Sequence, residues 1–422
     1  MSRDAHRPRS VARARSTLAR HAATLPNPGP VAALTKMLGV TMAVVVVSGV
    51  SVATFAALER ISSFTDQAVD IAGQDSVPPD IGAIEGGVNL LVTGTDECEP
   101  EYAHIFGDRC TGADAGSQLN DVNMLVHISD SPRRVTVVSF PRDLMIRIPS
   151  CPRPDGSESP GASNRPINEA WGAGGLNCVV RAVSDLSGLD IQFSAKVSFG
   201  NVINITDAIG GVDVCLASGI RDHNTGIDWP PGERTVAGVE ALQFLRTRYG
   251  VGDGSDLGRI SNQQQYLSRM ARKLTSDEVL SDIPTLVNLA TTAVDNITPS
   301  KSLTNPLTLV QIALAVKDVS SDEIVFVQYP TLPDPDDPNK RVPHVPSAQA
   351  LWDALETNQP VQLTGDVGSH DGVVESPTPD NAPPATKTNS PPTPTEGSIA
   401  LPSDITGSTA AQQTCSNGNV RQ

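Results

Sequence analysis

Two rhythms of apolar residues alternate along most of the chain. Val88-Asn89-Leu90-Leu91-Val92 is a short apolar run that stops at Gly94, the pattern of a buried strand. Met124-Leu125-Val126-His127-Ile128 and Val135-Thr136-Val137-Val138-Ser139-Phe140 predict two more, with Ser131-Pro132 turning the chain between them. Ile191–Val197, Val212–Leu216 and Ile324–Val327 predict further strands. A helical period occupies Val179–Leu186, Phe199–Ile209, Val239–Arg246, Gln263–Leu274, Val279–Ala293 and Leu307–Val316. Strands alternating with helices in this way predict an α/β sandwich. Gly174-Gly175 and Gly210-Gly211 read as a helix C-cap and a tight turn into a strand, without a chemical role.

The two ends break the rhythm. Residues 1–36 are basic, with Arg3, Arg7, Arg9, Arg13, Arg15, Arg20 and Lys36. Residues 37–58 carry no charge, and a helix of that length spans roughly 30 Å, enough to cross a bilayer. The positive flank predicts a cytoplasmic N-terminus, with everything after Leu58 outside the cell membrane. A cleaved signal peptide is the alternative, for which the apolar run is long. Residues 59–86 read as a stalk and 87–360 as the exocytoplasmic domain. From 361 to 422 a Pro/Thr/Ser-rich composition predicts a disordered tail, with Cys415 the one point able to anchor it.

Composition narrows the chemistry. The chain has Lys+Arg 31 against Asp+Glu 47, which argues against a nucleic-acid partner. It contains no P-loop, zincin pair, GxSxG elbow or CxxC, and none of its seven histidines has a metal-ligand spacing. All six cysteines follow the apolar segment, which predicts disulfides in an exported domain. Pairs Cys98–Cys110, Cys151–Cys178 and Cys215–Cys415 would close a short loop, a longer loop and the tail, among the fifteen pairings that six cysteines allow.

Against this acidic background, Arg246-Thr247-Arg248 and Arg259 lie close in sequence, with Gln263 four residues after Arg259. Arginine presents a planar fork that fits phosphate oxygens, and residues four apart share a helix face. A surface cluster neutralised by Asp253 and Asp256 is the plainer reading. Ligands of open α/β folds bind beyond the carboxyl ends of strands. Asp96 and Arg142-Asp143 follow the first and third strands, and Asp121 precedes the second. Asp96 and Asp121 suit a magnesium ion that takes one or two carboxylates and completes its shell with phosphate and water. Arg142, Arg246, Arg248 and Arg259 suit a clamp on phosphate oxygens. Taken singly, each acid is more often a turn-former or cap. His127 reads as packed, and no covalent nucleophile is evident.

These segments, in order, resemble the LytR-CpsA-Psr family of cell-wall ligases. The match runs through Asn89–Asp96, Asp121–Val126, Val138–Asp143, Ile167–Ala170, Asp207–Val212, Arg246–Arg248 and Asp256–Gln264, and covers roughly residues 87–275. The resemblance implies a mixed-sheet αβα sandwich behind a single transmembrane helix. It implies a magnesium-assisted phosphotransferase moving a phosphoglycosyl polymer from a polyprenyl diphosphate to a muramic acid hydroxyl of peptidoglycan. Arg142, Arg246, Arg248, Arg259 and Gln263 would then hold the diphosphate, Asp96 and Asp121 the metal, and Asp143 is the candidate base. Phe199, Val202, Ile203 and Ile205 would line a lipid tunnel or serve as ordinary core. The variant pattern looks actinobacterial, which implies a lipid-linked arabinogalactan or related donor. Three positions depart from the family pattern: Leu119 and Asn262 where arginine is frequent, and Pro166 where lysine is frequent. The long Asp96-to-Asp121 interval would be a disulfide-closed flap. A polyprenyl-diphosphate pyrophosphatase using the same site and a non-catalytic wall-binding scaffold are the alternatives. The segment before Met37 is too short for a DNA-binding domain.

Overall fold

In the computed structural model, described for residues 62–72, 81–84, 87–112, 118–153, 155–276, 279, 282–376 and 398–419, five of the six predicted strands and two short unpredicted ones build one mixed sheet, while Val212–Leu216 joins a second. The strands of the mixed sheet are β1 (Val88–Thr95), β2 (Asn120–Ile128), β3 (Val135–Phe140), β4 (Phe193–Ser198), β5 (Thr298–Pro299), β6 (Ile324–Gln328) and β7 (Gly407–Thr409), ordered β5-β4-β1-β2-β3-β6-β7. β4 runs parallel to β1 and β6 parallel to β3, while the other neighbours are antiparallel. The helices that position the site are α1 (Ala170–Ser187), α2 (Phe199–Ala208), α3 (Gly238–Arg246), α4 (Asp256–Leu274), α5 (Ile283–Asn296), α6 (Pro306–Lys317) and α7 (Val345–Glu356).

The strands are apolar on both faces because both are covered. Leu91, Leu125, Val138, Val325 and Val327 pack on one side against α1 and α7, through Leu176, Val179, Leu351 and Trp352. Their neighbours Leu90, Val126, Val137 and Phe326 face α4 and α6, through Leu267, Ala271, Leu309 and Ile312. The α/β sandwich is therefore a mixed sheet between two helical layers. A second, four-stranded sheet orders Gly232–Val236, Val212–Leu216, Thr414–Ser416 and Val373–Glu375 against the flank of α4.

The structure corrects the reading of the ends. The tail after 361 is not a disordered extension where it is described. Residues 407–409 form an edge of the main sheet, and 414–416 join the second sheet, with Leu401, Ile405, Ala410 and Cys415 buried. Its apolar residues are sparse, but these four are buried. The stalk is also docked in part: Val69 bridges to Ser300, and Phe64, Ile71 and Ile81 are buried. Gly174-Gly175 leaves helical geometry and ends a short first stretch of α1, after which a second helical stretch continues across the kink, with Gly175 at φ 63°. A Cβ on Gly174 would lie 2.9 Å from the Cys151 Cβ. The predicted membrane span at 37–58 lies outside the described residues, and none of the described helices is long and apolar enough to cross a membrane. All six cysteines pair, as Cys98–Cys110, Cys151–Cys178 and Cys215–Cys415.

Candidate active site

The site begins with a register irregularity. β1 and β2 pair Gly94 with Val122 and then Thr95 with Asn120, so Asp121 is the extra residue of a bulge. Glycine is needed at 94, because a Cβ there would sit 2.9 Å from the Val122 Cβ. On the other edge of β2, Asn123 pairs with Phe140. Two residues further along each strand, Asp121 meets Arg142, whose Nη1 lies 3.3 Å from both Asp121 carboxylate oxygens. Asp96 leaves β1 at the same end and accepts a 2.8 Å bond from the Leu119 amide.

Helix α4 supplies the opposite wall. Ser255 caps it by accepting from the Gly258 amide, and Asp256 occupies its first turn, where a negative charge suits the dipole. Three residues on, Arg259 Nη2 lies 2.6 Å from Asp256 Oδ1 and donates to the Asp121 carbonyl at 3.1 Å. Arg142 Nε lies 3.7 Å from the same Asp256 oxygen and 3.5 Å from Asp143 Oδ2. Burial of the Arg142 guanidinium opposes its charge, but Asp121, Asp256 and Asp143 outweigh burial and raise its pKa. Arg259, buried, and Arg142, half-buried, are thus held by a ring of carboxylates, charged and pre-aimed. Asp143 is braced from outside as well, since Lys340 Nζ donates to its Oδ1 at 2.9 Å.

Arg246 ends α3 with its guanidinium over the rings of Phe106, 4.9 Å away, and Phe199, 5.4 Å away. Gln263 donates to the Leu245 carbonyl at 2.9 Å, so it fixes the end of α3 beside Arg246. Arg248 stands on a turn organised by buried Asp222, which accepts from Thr247 Oγ1 and from the Arg248 and Gly250 amides. Arg248 Nε is held by the Gly254 carbonyl.

These residues surround an open polar cavity of about 180 Å³ lined by Asp121, Arg142, Arg246, Arg248 and Arg259, with Asp222 at its side. Behind it lies an apolar cavity of about 200 Å³ lined by Val92, Met124, Val202, Ile205, Leu242 and Met270. Phe199, Arg246 and Arg259 line both cavities, so the arginines stand where a polar chamber meets an apolar one. Of the residues suggested for a tunnel, Phe199, Val202 and Ile205 line the apolar cavity, and Ile203 packs into the core beside it. The loop closed by Cys98–Cys110 folds down over this junction. Tyr102 donates to Asn204 Oδ1 at 2.9 Å, Glu97 pairs with Lys196 at 2.6 Å, and Phe106 reaches Arg246.

The arrangement brings Asp121, Arg142, Asp143, Arg246, Arg248 and Arg259 to one rim. No group of three His, Cys, Asp or Glu side chains able to hold a metal occurs among the described residues. Of the two acids expected to hold magnesium, Asp121 lines the polar cavity with both oxygens facing Arg142 Nη1, and Asp96 Oδ1 accepts from the Leu119 amide. Among the departures, Asn262 is buried and donates to the Phe244 carbonyl at 2.8 Å, and it also accepts from Ser416 of the returning tail. An arginine would not fit there. Asp222 and Lys340 were not singled out from the sequence. Asp222 lies in an ordinary Asp-His-Asn-Thr-Gly turn, and Lys340 meets its partner across 197 residues.

The model of the LytR_cpsA_psr family matches residues 54–355 of this chain. The chain belongs to that family. It is 23% identical over 321 residues to the cell wall biosynthesis protein LcpA of Corynebacterium glutamicum, covering 69% of this chain and 58% of that protein. It is 28% identical over 208 residues to the probable cell wall biosynthesis protein LcpB of the same organism, covering 49% and 46%. The chain thus spans about half the length of the curated relatives it matches. Its fold is similar to the LytR-Csp2A-Psr enzyme of Actinomyces oris, with TM-score 0.51, 21% identity, and 68% of this chain and 95% of that one covered. The Streptococcus agalactiae protein gbs0355 has a similar fold, with TM-score 0.51, 18% identity and coverage of 64% and 86%.

Proposed function

We propose that this protein is a phosphotransferase that moves a phosphoglycosyl polymer from a polyprenyl diphosphate to a hydroxyl of peptidoglycan. The observation that carries the reading is the junction at Arg246 and Arg259, where a cationic polar chamber opens onto an apolar cavity. A lipid diphosphate has that same division: an apolar tail and a dianionic head. Three relatives point the same way, two named for cell wall biosynthesis and one, from Oceanobacillus iheyensis, named as a polyisoprenyl-teichoic acid–peptidoglycan teichoic acid transferase.

In the proposed reaction the acceptor oxygen attacks the sugar-side phosphorus. The bond from that phosphorus to the bridging oxygen breaks, polyprenyl monophosphate leaves, and the proton of the acceptor hydroxyl ends on that released phosphate. Phosphoryl transfer through a loose transition state is catalysed mainly by positioning and by stabilising the equatorial oxygens. Arg142 and Arg259, fixed by Asp121 and Asp256, hold the phosphate oxygens, with Arg246 and Arg248 at the leaving-group side. Magnesium, held by Asp96 and Asp121, would neutralise charge on the diphosphate. Gln263 positions Arg246. Both carboxylate oxygens of Asp143 are engaged, by Lys340 and Arg142, so its assigned role is to brace Arg142 and not to take the proton. The proposed setting is the outer face of the cytoplasmic membrane, anchored by residues 37–58. An arabinogalactan-like polymer is the proposed donor glycan.

The test incubates the full chain with a synthetic polyprenyl-diphosphate glycan, magnesium and nascent peptidoglycan, alongside Arg142→Ala and Asp121→Ala. A glycan–peptidoglycan bond formed by the wild type and lost in both variants supports the reading. Release of free phosphoglycan into water, with none on peptidoglycan, favours the pyrophosphatase alternative.

A further inference from the structure

A second polar cavity, of about 210 Å³, lies on the other side of α4 from the apolar one. Helix geometry separates them. Arg259, Gln263, Tyr266 and Met270 line the apolar cavity, whereas Leu257 lines the second, beside Ser261, which bonds the Ser369 backbone. The rest of the wall comes from the carboxyl end of β6, the hairpin that carries Arg341, and the returning C-terminal segment through Asp366, Ser369, Asp404 and Thr406.

Its position relative to the reaction is set by register. β6 and β3 are parallel, and Gln328 pairs with Ser139. Three residues beyond Ser139 stands Arg142. The cavity therefore occupies the carboxyl ends of the parallel pair, where open α/β folds take ligands. Two further ties reach the active site. The Arg341 amide donates to the Asp143 carbonyl at 3.1 Å, and Asp253, in the loop that leads into α4, lies 2.6 Å from His370 Nδ1. Close fit of that loop to the C-terminal segment requires Gly252 at φ 54°, since a Cβ there would come 2.2 Å from the His370 carbonyl oxygen.

One observation points to a ligand. Gln328 is 5% exposed and lines the cavity, its Oε1 accepts from Thr406 at 3.3 Å, and its Nε2 donates to nothing among the described residues. A buried amide donor without a partner is costly unless an acceptor oxygen enters the cavity. The remaining wall mixes signs and roles. Arg341 is already held by Thr331 through Nε and Nη2, Asp404 by His344 and Ser347, and Asp366 stands exposed at the mouth. The two carboxylates disfavour a polyanion, and the polar lining disfavours a lipid. Hydroxyls that both donate and accept suit every group present.

We infer that this cavity is the acceptor subsite, binding a sugar residue of the peptidoglycan strand through Gln328, Asp366 and the neighbouring hydroxyls. The inference rests on the transfer reading proposed above and gives its acceptor a place: the lipid donor on one face of α4, the acceptor saccharide on the other, and Arg142 between them.

The experiment titrates the full chain in detergent micelles with a soluble, uncross-linked N-acetylglucosaminyl-N-acetylmuramyl tetrasaccharide, followed by calorimetry. Gln328→Met removes the amide at similar volume, and Asp366→Ala changes an exposed side chain that plays no part in packing. Expected is binding by the wild type, about tenfold weaker in each variant. Equal binding by all three proteins, or none by the wild type, overturns the inference. Tetrasaccharide binding that responds to the variants, without any transfer product, leaves the subsite standing and removes the transfer reading. Transfer with an acceptor KM unchanged in both variants does the reverse.

Discussion

Arg142 is the residue on which the site turns. It touches Asp121, Asp143 and Asp256, and among the described residues it is the one guanidinium tied to all three. Arg142→Ala is expected to lower transfer by about 10²- to 10³-fold, the usual loss when one oxyanion-stabilising donor is removed. Arg142→Lys is expected to rescue little, because a point charge cannot serve three carboxylates and a phosphate together. Single-turnover rates check both. His127 makes a different prediction. Its Nδ1 meets Asn89 Oδ1 at 2.9 Å, its Nε2 is buried without a partner among the described residues, and burial pushes the imidazole down to about 4. The unfolded chain binds this proton from about pH 6.5 downward and the folded chain only near 4. Its contribution is therefore full above 6.5 and falls as pH drops through that window, by about 3 kcal/mol in all. His127→Gln is expected to flatten that part of a denaturation-versus-pH profile. The arginines were legible in the sequence because clustered guanidinium groups are conspicuous in an acidic chain. Lys340 and Asp222 were not, since each acquires its role only through a contact made by folding.

At the scale of elements, α4 does the dividing. One face carries Arg259, Gln263, Tyr266 and Met270 toward the apolar cavity, and the other holds the C-terminal segment. Filling the apolar cavity separates tail binding from head-group chemistry. Ile205→Trp, on α2, is expected to raise KM at least tenfold for donors with long prenyl chains and to leave donors with a short prenyl chain nearly unaffected. Comparing chain lengths in one assay checks this. The returning segment is tied by Cys215–Cys415 across 200 residues. Replacing both cysteines by serine is expected to cost about 2–5 kcal/mol, measured by denaturant unfolding. Strands and helices of the central domain were legible because period 2 and period 3.6 differ plainly in runs such as Val135–Phe140 and Phe199–Ile209. The C-terminal strands were not. Leu401, Ile405, Ala410 and Cys415 stand apart from one another and never form a run, yet the fold buries all four. The kink at Gly174-Gly175 escaped for a similar reason: the need for glycine arises from Cys151, a residue of another element.

For the whole molecule, the sequence disclosed the α/β class and the family through ordered motifs, none decisive alone. What it could not disclose was the partition of space: an apolar cavity, a cationic junction and a polar cavity in succession around one helix. The chain carries a formal net charge of −16, so its cationic junction sits in a repelling field for anionic donors. In the proposed reaction, phosphorus travels with the glycan. Its most direct test is a single turnover with a donor labelled at the sugar-side phosphorus, followed by separation of peptidoglycan from lipid. Expected is label on peptidoglycan in a phosphodiester, with unlabelled polyprenyl monophosphate released in equal amount. Label remaining on the lipid as polyprenyl diphosphate, with the glycan joined to peptidoglycan through a glycosidic bond, would contradict it.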